Sequence, residues 1–117
     1  MPDTSTPQPP SHLSSGSAEW WVKVCGTYSL EPHHLRLLQL AAEAWDRGEQ
    51  ARRAIKREGA FYTDRFGAPK AHPGLDQERK ARNDFRLLLR ELGLDDAPDP
   101  SVVKPVRARG RDFRRVG

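Results

Sequence analysis

Four histidines, one cysteine and scattered carboxylates are the side chains of this 117-residue chain that could carry chemistry. His12 lies in a stretch rich in proline and serine, and His33 and His34 are adjacent, so on a helix they point to different sides. Neither an HExxH pattern nor a second cysteine is present, so the ligand spacings of a zinc site are missing. Cys25, being single, can form no intrachain disulfide, and a reducing compartment is its expected setting. No Gly-x-Ser-x-Gly elbow occurs, and no Ser-x-x-Lys stands on a plausible one. Gly59, Gly67 and Gly74 are too scattered to cradle a phosphate, and Gly-Lys-Ser/Thr is absent. The paired carboxylates Asp95 and Asp96 sit among prolines, where nothing would desolvate them. The expectation is a binding protein, with no catalytic residue, no cofactor and no metal.

The basic residues carry the stronger signal. Residues 101–117 hold Lys104, Arg107, Arg109, Arg111, Arg114 and Arg115 against Asp112 alone, a net charge of +5. The whole chain carries +4, so the other hundred residues are close to neutral. A near-neutral body with a basic end points to a polyanionic partner, above all nucleic acid. Pro105, Ala108 and Gly110 separate the arginines, which predicts a flexible arm that touches phosphates without reading bases. A second set comprises Arg47, Arg52, Arg53, Lys56 and Arg57, then Arg79, Lys80, Arg82, Arg86 and Arg90. It is interleaved with Glu43, Asp46, Glu49, Glu58, Glu78, Asp84 and Glu91, the pattern of a solvated helix face laced with ion pairs. Of this set, Arg52, Arg53 and Lys56 are the candidates to join the tail on DNA.

Positioning these residues falls to a mainly helical scaffold. Residues 1–17 hold four prolines and five serines with almost no large apolar side chain, which predicts a disordered arm. Without basic residues or an apolar run, the same stretch does not read as a signal peptide. Ser17 is placed to cap a first helix over 18–27. Pro32 suits the first turn of a second helix, and Leu35, Leu38, Ala42, Trp45, Ala51 and Ile55 extend one apolar stripe to residue 58. That helix would be about 40 Å long. A short β-hairpin is expected over 60–71, turning at Asp64-Arg65-Phe66-Gly67, with Asp first and Gly fourth as in a type I turn. A third helix follows to Leu92, with Ala81, Phe85, Leu88 and Leu92 as its buried stripe and Gly93 as its stop. The domain organisation is thus an arm (1–17), a helical core and oligomerisation domain (18–94), and a linker with basic tail (95–117). No run approaches the roughly 20 apolar residues of a membrane span. The core of so few residues is small. Trp20, Trp21, Leu35, Leu38 and Trp45 are therefore expected to be buried in part against other subunits.

The order of these elements resembles the phage terminase small subunit family. The resemblance is carried by Trp21 with Tyr28-x-Leu30, Leu35-x-x-Leu38-x-x-Ala41-Ala42 running on to Arg47, and Gly59. It continues through the Thr63-Asp64-Arg65-Phe66-Gly67 turn, His72-Pro73, and Phe85-x-x-x-Leu89-x-x-Leu92-Gly93-Leu94. The resemblance implies a non-catalytic protein of the host cytoplasm that binds double-stranded viral DNA. It also implies assembly into a homo-oligomeric ring and delivery of DNA to the large terminase subunit, which holds the ATPase and nuclease. A small helix-turn-helix regulatory protein is the alternative. The second helix is longer than a recognition helix needs to be, and it opens on Pro32, His33 and His34, not on base-reading side chains.

Overall fold

The computed structural model describes residues 6–94, in the order α1 (Ser15–Thr27), α2 (Pro32–Glu58), β1 (Phe61–Thr63), β2 (Pro69–Ala71) and α3 (Pro73–Leu92). The main helical unit is the α2–α3 pair. Ile55 lies against Gly74, Arg52 pairs with Glu78, Gly48 faces Ala81 and Trp45 meets Phe85. Falling numbers on α2 match rising numbers on α3, so the two helices are antiparallel. Gly48 and Ala81 let the backbones approach closely, since a Cβ on Gly48 would stand 3.5 Å from that of Ala81. Helix α1 packs on the first half of α2. The core forms there, from Leu13, Trp21, Val24, Leu38, Ala42 and Leu92.

Local chemistry sets the helix ends. Pro32 begins α2, and the ring Nδ1 of His34 accepts from the Glu31 amide at 3.0 Å, fixing the chain as it enters the helix. His72 caps α3 by accepting from the Gly74 amide at 2.8 Å. Gly93 closes α3 in the left-handed conformation at φ 75°, and the Leu94 amide reaches back to the Leu89 carbonyl at 2.8 Å. The two strands pair antiparallel, with Tyr62 opposite Lys70, and all six of their residues are exposed.

The amino-terminal segment differs from expectation. Helix α1 starts three residues early, capped by Ser14, whose hydroxyl accepts from the Ser17 amide at 3.2 Å. Ser17 is no cap. It is buried and donates its hydroxyl to Asp46 at 2.7 Å. Residues 6–14, expected to be disordered, pack on the helices: Leu13 is buried, the Trp21 indole donates to the Pro7 carbonyl at 3.1 Å, and His12 meets Glu43 at 2.7 Å. One apolar side chain and a few hydrogen bonds to other elements suffice to place the segment, and neither signal is periodic.

Candidate nucleic-acid and assembly surfaces

Half of the cations on the three helices are occupied by carboxylates. Arg52 is bound by Glu49 at 2.8 Å on its own helix and by Glu78 at 2.9 Å on α3. The Glu78 hydrogen bond, helped by Glu49, stabilises the charged guanidinium further. Arg52 thus clamps α2 to α3 and is not a free phosphate ligand. Arg47 approaches Asp84 at 3.5 Å, Arg57 meets Glu58 at 3.2 Å, and Arg82 meets Glu78 at 3.4 Å. Asp76 takes both Arg79 and Lys80. These are exposed pairs of small energetic weight. Their effect on function is larger, because each neutralises a cation that DNA could otherwise engage.

Arg53 and Lys56 are different. Both are exposed, neither has an ion pair among the described residues, and their three-residue spacing sets them on one face of α2. The hairpin beyond adds two cations that the sequence reading did not single out. Arg65 lies at the turn, its guanidinium 4.9 Å above the Phe66 ring, and Lys70 lies on β2. Neither has an ion pair among the described residues. The Asp64–Gly67 turn signal could have found Arg65, because it fixes that residue at a loop tip. Lys104, Arg107, Arg109, Arg111, Arg114 and Arg115 lie outside the described residues.

The five residues expected at an oligomer interface separate into two groups. Trp21 and Leu38 are 3% and 0% exposed inside the chain's own core, so they have no surface to offer a second copy. Leu35 packs partly buried against the same core. Trp20 and Trp45 instead converge on Phe85, with ring centroids 5.6 Å and 5.1 Å from it. Trp45 remains 48% exposed. With Gly16 and Ser17 the three rings line an open cleft of about 300 Å³.

Burial raises the Cys25 thiol to about 11, which leaves it a poor nucleophile at neutral pH. Among the described residues no three His, Cys, Asp or Glu side chains gather as metal ligands, and no helix is long and apolar enough to cross a membrane.

Comparison with known proteins gives one family. The sequence model described as phage terminase, small subunit, matches residues 19–102, from the first turns of α1 to beyond α3. Neither curated proteins nor solved structures give a match. The match spans well over half of the chain and all three helices, and on that ground the chain belongs to the phage terminase small subunit family.

Proposed function

We propose that this chain is the DNA-engaging subunit of a viral genome-packaging motor. In this reading it binds double-stranded viral DNA in the host cytoplasm, assembles as a homo-oligomeric ring and delivers DNA to the large subunit. Catalysis rests with the large subunit, and this chain works without cofactor or metal. Family membership over residues 19–102 is the observation that carries the reading. The distribution of cations supports it. Arg53 and Lys56 are exposed near the carboxyl end of α2, and the sequence adds a +5 tail. Phosphate contact needs cations of this kind, unpaired and accessible. The regulatory alternative gains no such support. The first turn of α2 would have to meet base edges, yet His34 is 1% exposed there.

Fluorescence anisotropy with a labelled duplex tests the reading. Reversing Arg53 and Lys56 to Glu in the full chain is expected to weaken binding to every sequence alike, with the fold intact by circular dichroism. Binding at low salt that never rises above that of an uncharged control protein would overturn it.

A further inference from the structure

The β1–β2 hairpin presents a surface that its own chain leaves uncovered. Phe61, Tyr62 and Phe66 are 70%, 50% and 80% exposed. A two-stranded ribbon open on both faces is marginal in water. The turn nevertheless holds Phe66 firmly at the tip. One carboxylate oxygen of Asp64 accepts from the Phe66 amide at 2.8 Å and from the Ala68 amide at 2.9 Å, and the Gly67 amide donates to the Asp64 carbonyl at 2.9 Å. The result is an aromatic knob with Arg65 beside it and Lys70 on the same hairpin.

The Trp20–Trp45–Phe85 cleft is its complement. It is lined by aromatic rings and open to solvent, and about 300 Å³ of it is unfilled. The charged residues next to these three aromatics in the chain are Glu19, Asp46, Asp84 and Arg86, three acids to one cation, so the apolar floor carries a small acidic excess. That charge suits a cationic aromatic knob and repels a phosphate backbone. A chain cannot fill its own cleft this way. From Trp45 to the end of α2 at Glu58 is about 20 Å of helix, and the hairpin starts beyond it.

We propose that the hairpin of one copy seats Phe66 in the Trp20–Trp45–Phe85 cleft of the next. This deepens the ring reading above and rests on it. Two different surfaces meet, so the contact is heterologous. Such a contact leaves a free knob at one end and a free cleft at the other, and it repeats until the ring closes.

Two variants of the full chain test this by native mass spectrometry. Phe66→Asp removes the knob at a residue that is 80% exposed, and Phe66→Ser is the milder version. Gly16→Leu fills the cleft from a position where an added Cβ meets nothing within 4 Å. Each variant is expected to weaken self-association at least about tenfold, as loss of a central aromatic anchor does. At a concentration that assembles the wild type, each then runs as a monomer. Mixed in equal amounts, Phe66→Asp supplies a sound cleft and Gly16→Leu a sound knob, so a one-to-one heterodimer should form and grow no further. If both variants keep the wild-type mass, or if the mixture forms no heterodimer, the contact is wrong while the ring reading stands. A wild type that stays monomeric would defeat the ring reading itself. Variants that assemble normally but lose duplex binding would make the hairpin a DNA element and overturn the proposal.

Discussion

Asp46 ties the amino-terminal segment to the long helix. Its carboxylate accepts from the Ser14 amide at 2.8 Å and from the Ser14 and Ser17 hydroxyls at 2.7 Å each. Partial burial disfavours the charged form, but these hydrogen bonds, helped by the Arg53 charge, outweigh it and hold the carboxyl below its ordinary value. A depressed carboxyl contributes stability above its unfolded-state value of 3.8, and that stability fades as pH falls through that value and below. Asp46→Ala should cost about 2 kcal/mol near neutral pH, by removing bonds to a charged acceptor. Thermal melts of wild type and variant across pH are the check, and the gap should narrow steadily below about pH 4. Leu38→Ala makes a second test at this scale. Leu38 is fully buried, so the change should destabilise the chain by about 3 kcal/mol in chemical denaturation. Once allowance is made for unfolding, it should leave the assembly state unaltered. The same substitution at an intersubunit contact would do the reverse.

At the scale of elements, what was legible in the sequence was local. Pro32 and Gly93 mark helix ends by chemistry confined to a turn, and both lie where the structure has those ends. The Asp64–Gly67 turn formed as its sequence signals require. Its glycine has φ 81°, which an L side chain tolerates poorly. Gly67→Ala should therefore raise the energy of the closed hairpin by roughly 1–2 kcal/mol. Because the hairpin is peripheral, the effect should appear as faster hydrogen exchange at the Phe66 and Ala68 amides, with little change in the global melt. What could not be read was which elements pair. An apolar stripe says that a helix has a buried face, not which neighbour covers it. Trp20 and Trp21 looked alike in sequence, yet one lines an open cleft and the other is sealed in the core. Arg52 and Arg53 divide in the same way, since the carboxylate that captures Arg52 lies 26 residues away on α3. The packing of Leu13 and Pro7 on α1 and α2 was equally hidden, because contact with distant residues leaves no mark on local composition.

For the whole molecule the governing quantity is where positive charge stays available to a polyanion. The helical body neutralises half of its own arginines, whereas residues 101–117 carry six cations against one carboxylate. Binding to duplex by phosphate contact releases counterions, so the slope of log K against log salt counts the phosphates neutralised. A tail of net charge +5 that engaged fully would contribute a slope of about −4.5 per subunit. Deleting residues 101–117 should weaken binding to all sequences alike and flatten the slope by up to that amount, while self-association persists. The Arg53→Glu, Lys56→Glu variant should lower the slope by about 2 and no more, because it removes two phosphate ligands. Salt titrations of the full chain, the truncation and the double variant separate the two surfaces. If the truncation keeps the full slope, the tail is a bystander and the DNA lies along α2. Should the truncation lose nearly all of it, the helical body serves mainly to gather many cationic tails into one assembly.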